Sequence, residues 1–94
     1  MRVAVFSSKP SDEQYLGVAA AGTPHKLDFF EPSLNGDVVK LAADHAAVCV
    51  FVHDEVNGNV LRELAEHGVR LVALRAAGFN NVDLDVAKEV GIKV

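Results

Sequence analysis

The sequence holds one cysteine, Cys49, so no disulfide can close within it. A zinc site built from several thiolates is excluded for the same reason. A lone thiol inside an apolar run is expected to be a small buried hydrophobe rather than a reactive group. No apolar run approaches the ~20 residues that a membrane-spanning helix needs; the longest is Ala46 to Val52. Basic residues are few and scattered, nine against thirteen acidic ones, for a net charge of −4. No basic stripe forms, which argues against nucleic acid as a partner. The first residues enter a strand pattern at once, without the apolar segment of a secretory signal. A soluble, cytoplasmic protein with no membrane partner is the expectation. Repeats, linkers and low-complexity tracts are absent.

What remains is a chain of 94 residues, half of them hydrophobic. That composition supports a folded core, and the length allows one domain, residues 1–94, without room for a second. Short apolar runs alternate with helix-like segments. Val3 to Phe6 reads as a strand. Ser11 and Gln14 have the spacing of a capping box for a first helix, with Leu16, Ala19 and Ala20 as its buried face and Gly22 as its stop. His25 to Phe30 is a second strand. Asn35 is placed to cap a second helix with a stripe of Val38, Leu41 and Ala42. Ala47 to Val52 is the most apolar stretch and suits a central parallel strand buried on both faces. Asn57-Gly58-Asn59 precedes a third helix whose apolar face is Val60, Leu61, Leu64 and Ala65, ended by Gly68. Leu71 to Leu74 is a fourth strand. Asp83 caps a short fourth helix stopped by Gly91, and Ile92 to Val94 begins a fifth strand.

This alternation predicts an α/β, flavodoxin-like fold of three layers. Its parallel sheet has five strands in the order 2-1-3-4-5, with four helices. No helix follows the fifth strand, so one sheet face is expected to be thinly covered and the last strand to be an open edge. Ligands of such sheets bind at the carboxyl ends of the strands. That rule selects Ser7-Ser8-Lys9-Pro10, His53-Asp54-Glu55, and the loop from Arg75 to Asn81. In the last loop, small residues at Ala76, Ala77 and Gly78 let a ligand approach the backbone, and successive N–H groups can cradle an anion. A plain turn before a helix is the alternative. Asp54 and Glu55 read as a solvated acidic pair, with a weak cation site as the other option. His25, His45, His53 and His67 show no ligand spacing and are expected at surfaces or strand ends. His53 is the one exception, because it lies at a strand's carboxyl end, where a ligand or base role is the other option.

The run Leu74-Arg75-Ala76-Ala77-Gly78-Phe79-Asn80-Asn81-Val82-Asp83 resembles the Leu-Arg-Ser/Cys-Ala-Gly-Phe-Asn-Asn-Val-Asp signature of the D-lactate dehydrogenase-like D-2-hydroxyacid dehydrogenases. Met1 to Pro10, Glu31-Pro32, and Cys49 to Val52 followed by Asp54 are similar to that family in order and spacing. The resemblance spans the whole chain. It implies a substrate-side domain in which the backbone amides of Ala76, Ala77 and Gly78 hold the carboxylate of a small 2-oxo or 2-hydroxy acid. Phe51 matches an aromatic that lines the substrate pocket, and Arg75 matches the signature arginine, as substrate contact or as structural ion pair. Ala76 stands where Ser is commoner, which backbone donors tolerate. The family's catalytic Arg, Glu and His lie in or beyond its NAD-binding domain and have no counterpart here. No G-x-G-x-x-G turn for a dinucleotide occurs. The resemblance therefore implies NAD in a full-length parent, no cofactor, catalytic residue or metal in this chain, and only weak substrate affinity.

Other readings compete. A receiver-like domain shares the strand pattern, and Asp54 imitates its acceptor, but Ser7 and Ser8 stand where its acidic residues belong. A flavin-binding domain would need a longer, Gly-containing phosphate loop than Ser7 to Pro10. A third reading is an excised or engineered scaffold that self-associates. Its open edge strand and bare sheet face predict a homo-oligomer, a symmetric dimer being the simplest.

Overall fold

A computed structural model describes residues 1–51, 54–74 and 82–94. Strand β1 spans Arg2–Val5, helix α1 Pro10–Ala20, strand β2 Lys26–Phe29, strand β3 Ala47–Val50, helix α2 Gly58–Glu66, strand β4 Leu71–Leu74 and helix α3 Leu84–Val90. A 3₁₀ turn over Val39–Ala42 stands between β2 and β3. The strands are parallel, in the order β2-β1-β3-β4. The expected order thus holds for the first four strands, because each crossover carries the chain over the sheet to the next parallel position.

The expected five strands and four helices are corrected to four and three among the described residues. The fifth strand is reduced to one parallel bridge, Leu71 to Lys93. Val72 N–H donates to Lys93 O at 2.7 Å, and Lys93 N–H to Arg70 O at 2.9 Å. The second helix is replaced by the 3₁₀ turn. Asn35 Oδ1 accepts from Asp37 N at 2.8 Å and Val38 N at 3.2 Å, closing a local turn that competes with an α-helical start. With three residues per turn, Val39 and Ala42 fall on one face and are buried, whereas Leu41 of the expected stripe is exposed.

The helices that do form have readable causes. α1 starts two residues earlier than the Ser11 cap implies, with Lys9 at the cap position. Pro10 fits the first helical position, and Asp12 Oδ2 accepts from Lys9 N at 3.0 Å. α2 is capped by Asn57, whose Oδ1 accepts from Val60 N at 3.0 Å, and it buries Val60, Leu61 and Leu64 as the spacing predicts. Gly68 then takes φ +92°, and Val69 N–H reaches back to Leu64 O at 3.0 Å, turning the buried Val69 toward β4. α3 is capped by Asp83, with its Oδ1 on Val86 N at 3.1 Å.

The core lies on one side of the sheet. Ala4 and Phe6 at β1, Val48 and Val50 on β3, and Val72 on β4 pack with Leu34, Val39, Leu61, Leu64, Ala87 and Ile92. The opposite face is covered by α1, none of whose residues is buried. Leu16 and Ala20 of its expected buried face are half-buried, and Ala19 is exposed. Cys49 on that face is half-buried rather than buried, and Ala73 is exposed. Tyr15 and Val18 point to solvent at 77% and 73% exposure.

Candidate functional site

β1 lies between β2 and β3, so the crossovers from β1 to β2 and from β2 to β3 depart to opposite sides. The carboxyl ends of these strands leave a crevice there. It forms a groove of about 900 Å³ lined by Ser7, Ser8 and Lys9 after β1, by Phe29 and Ser33 around β2, and by Phe51 after β3. Glu31 and the first turn of α1 complete its wall.

Ser7 makes the first bend. Its φ of +53° is left-handed, a conformation that costs a non-glycine residue about 1–2 kcal/mol. The bend directs Ser7 N–H to Pro32 O at 2.9 Å and Ser8 N–H to Phe30 O at 3.0 Å, joining the β1 exit to the segment after β2. Ser7 Oγ lies 2.8 Å from Asp54 Oδ1 and 2.9 Å from Ser33 Oγ. A hydroxyl has one proton, so Ser7 donates to the carboxylate and Ser33 donates to Ser7.

Asp54 is 1% exposed and ties the three exits together. Oδ1 also accepts from Leu34 N at 2.5 Å, and Oδ2 accepts from Phe51 N at 2.6 Å. Two backbone bonds run alongside: Asp54 N–H to Phe51 O at 3.0 Å, and Glu55 N–H to Leu34 O at 2.7 Å. The solvated acidic pair is therefore corrected. Glu55 is exposed but Asp54 is buried, because donors from three loops replace the water its carboxylate gives up. Phe51, held through its own N–H, is 39% exposed and forms part of the groove wall. Ser8 is buried, and its hydroxyl has no hydrogen-bond partner among the described residues.

Of the sequence-predicted site residues, Phe51 is placed at the groove. Arg75, Ala76, Ala77 and Gly78 lie outside the described residues, as do Val52 and His53. The described residues on either side of the signature loop are anchored: Leu74 pairs with Val50, and Val82 bridges to Val56, with Asp83 N–H on Val56 O at 3.0 Å. Both anchors stand beside the chain that leaves β3.

His45 stands at a strand end, just before β3, but is buried rather than at a surface. It is 4% exposed, with Nε2 2.8 Å from Asp28 Oδ2 and Nδ1 2.9 Å from Ala43 O. The hydrogen bond from His45, then that from Arg2, holds the Asp28 carboxyl below the usual carboxylate range. Ala46 N–H donates to Arg2 O, so this cluster belongs to the start of the sheet and not to the groove. His25 is exposed beside the N-terminus, and His67 closes α2. Among the described residues no group of three or more His, Cys, Asp or Glu is placed to hold a metal ion. No helix among them is long and apolar enough to cross a membrane.

Sequence reasoning missed Ser7 and Ser33 as partners, and it placed Asp54 in solvent. No local signal marked Asp54, because the donors from Ser7 and Leu34 that accompany Phe51 N–H on its carboxylate lie 47 and 20 positions away along the chain.

Comparison with known proteins adds identity to this geometry. Residues 3–94 match the family described as D-isomer specific 2-hydroxyacid dehydrogenase, catalytic domain. The chain is 48% identical over all 94 residues to the D-lactate dehydrogenase of Escherichia coli K12, covering 29% of that protein. The apo structure of the D-lactate dehydrogenase from Escherichia coli superimposes with a TM-score of 0.95 at 45% identity, over 100% of this chain and 31% of that one. The D-lactate dehydrogenase of Lactobacillus jensenii, determined with NAD+, gives 0.84 at 26% identity, over 100% of this chain and 30% of that one. The chain thus spans under a third of the length of these relatives. The readings as an engineered scaffold, a receiver-like domain or a flavin-binding domain find no support in them. By its sequence match from residue 3 to residue 94 and by its fold, the chain belongs to the D-isomer specific 2-hydroxyacid dehydrogenases, within their catalytic domain.

Proposed function

We propose that this chain is the substrate-side part of an NAD-dependent D-2-hydroxyacid dehydrogenase of the D-lactate class, and that it does not catalyse turnover by itself. The amides of Ala76, Ala77 and Gly78 hold the carboxylate of a small 2-oxo acid, Phe51 packs against the substrate, and Arg75 lies at the same loop. Orientation by fixed backbone donors is what such a cradle contributes to a hydride transfer whose carrier sits in another part of the protein. The observation that carries this reading is the placement of Phe51, at the carboxyl end of β3 in the groove, beside the anchored residues that bracket the signature loop.

The residues at the first βα turn do not fit a dinucleotide. A pyrophosphate needs glycine-backed N–H groups at a helix N-terminus. Here the turn is Ser7-Ser8-Lys9-Pro10, and the Asp12 carboxylate already takes the Lys9 N–H at the start of α1. No step through NAD is therefore assigned to these residues. The described histidines are no better placed to move a proton to a substrate, since His45 is buried against Asp28 away from the groove.

The same reading includes a cytoplasmic setting and self-association. Exposed Tyr15 and Val18 and the thin cover over Ala73 give a second copy apolar surface to bury. The test is an NMR titration with oxamate, a pyruvate analogue, paired with an assay of D-lactate oxidation with added NAD. Shifts at Ala76 to Gly78 and Phe51 without turnover are expected. No shifts there at millimolar oxamate, or measurable turnover, would overturn the proposal.

A further inference from the structure

We infer that Asp54 is a positioning residue for the substrate site, acting through Phe51: its carboxylate fixes the end of β3 to the exits of β1 and β2 and so sets where the Phe51 ring stands. The inference rests on the reading of Phe51 as a substrate contact. Its physical basis is independent of that reading and lies in the bonds themselves.

A carboxylate at 1% exposure is costly unless donors replace its water. Asp54 has donors from three separate chain segments: Ser7 Oγ, Leu34 N and Phe51 N, at 2.8, 2.5 and 2.6 Å. Backbone N–H groups that donate to a carboxylate make charge-assisted bonds, stronger than those between neutral groups. Oδ1 serves the first two exits and Oδ2 serves Phe51, so one planar group fixes their mutual geometry. Phe51 is bonded twice to the same residue, through its N–H to Oδ2 and through its carbonyl to Asp54 N. Its backbone is thereby clamped while its ring stays 39% exposed at the groove. Leu34 is clamped in the same reciprocal way, by Asp54 Oδ1 and Glu55 N. Ser7 holds a left-handed bend whose hydroxyl ends on this carboxylate. A strained residue, a buried charge and the expected substrate aromatic therefore meet at one point. This is the arrangement by which a rigid scaffold holds a contact side chain to within a fraction of an ångström.

The experiment uses the 94-residue chain and the variants Asp54→Asn, Phe51→Ala and the double variant, with oxamate as the probe and backbone and aromatic NMR as the readout. Asn at 54 keeps the shape but presents an amide N–H₂ to one of the two donor sets. The Phe51 and Leu34 amide protons should move upfield and the Phe51 ring signals shift, with the resonances of α2 and β4 unchanged. Oxamate affinity should fall about five- to tenfold in Asp54→Asn, equivalent to about 1–1.4 kcal/mol and passed on through the displaced Phe51. It should fall no further in the double variant than in Phe51→Ala, because the two residues act as one unit. Additive losses in the double variant, or unchanged Phe51 ring signals in Asp54→Asn, would overturn the inference. If the wild-type chain fails to bind oxamate while Asp54→Asn still moves the Phe51 ring, the substrate reading fails and the positioning role stands. If Asp54→Asn does not fold, the same signals are followed in Ser7→Ala, which removes one donor to the carboxylate. A Phe51 ring signal that does not respond there overturns the inference.

Discussion

Replacing Asp28 by Asn tests whether the buried histidine at the start of the sheet is a stability element coupled to pH. Asp28 Oδ2 accepts from His45 Nε2 at 2.8 Å and from Arg2 Nη2 at 3.0 Å. The two bonds differ in worth. The Arg2 side chain is 48% exposed, so its ion pair contributes at most about 1 kcal/mol and is screened by salt. His45 is 4% exposed, and a shielded hydrogen bond to a charged group is worth about 1.5–3 kcal/mol. Asn retains one acceptor oxygen, so the expected loss at neutral pH is about 2 kcal/mol. A domain of this size has about 5–14 kcal/mol in all. The pH dependence has a fixed sign. The His45 and Arg2 bonds lower the folded-state pKa of Asp28 below its ordinary 3.8. The folded state then binds fewer protons than the unfolded one in that range, so the stabilisation is complete well above pH 3.8 and is lost as pH falls through the lower folded value. Urea unfolding of wild type and Asp28→Asn across pH 7 to pH 3 reads this directly. The gap between them should be largest at neutral pH and narrow toward acid. A gap that stays constant with pH, or a loss under about 0.5 kcal/mol at pH 7, would refute the reasoning.

Two further outcomes follow from burial. Leu64 on α2 is fully buried in the core, so Leu64→Ala should cost about 2–5 kcal/mol in urea unfolding and leave the chain partly unfolded at physiological temperature. A loss under about 1 kcal/mol would mean that the α2 side of the sheet is not the core. On the other face, Tyr15→Ser with Val18→Ser removes exposed apolar surface, and stability should change by under about 0.5 kcal/mol per site. Light scattering should show the double variant shifted toward monomer relative to wild type. An unchanged mass would remove α1 from the self-association surface.

The parts of the fold that were legible in the residues are those where one strong local signal met a matching tertiary demand. α2 has a capping asparagine, an apolar stripe and a terminal glycine, and each does in the structure what its chemistry suggests. β3 is the most apolar run and occupies an interior position of the sheet. Where local signals competed, the outcome was set elsewhere. Asn35 does act as a cap-like acceptor, but it closes a turn at Asp37 and Val38, and the chain passes from there into the 3₁₀ turn. Ser11 and Gln14 have capping-box spacing, yet Pro10 is the better first helical residue and Asp12 is the acid that reaches the free N–H. Cys49 lies in an apolar run, but which of its faces is covered depends on how closely α1 packs, and periodicity along β3 does not carry that information.

The site divides the same way. Phe51 could be placed because it ends a recognisable strand and matches a family position. Asp54 could not, because its role depends on bonds to residues 20 and 47 positions away along the chain. Next to Glu55 it has the composition of a solvated loop, and nothing within five residues of it distinguishes a buried carboxylate from an exposed one. The distinguishing fact is long-range: the parallel order puts the exits of β1, β2 and β3 side by side, and three N–H or O–H groups left over from those exits converge on one point. A buried acid at such a convergence is a consequence of topology. An unpaired backbone donor at a strand exit needs an acceptor once water is excluded, and a carboxylate can serve several donors at once. The residue that holds the groove together is therefore read from the strand order together with the count of unsatisfied donors at the carboxyl end of the sheet, and not from the segment in which it occurs.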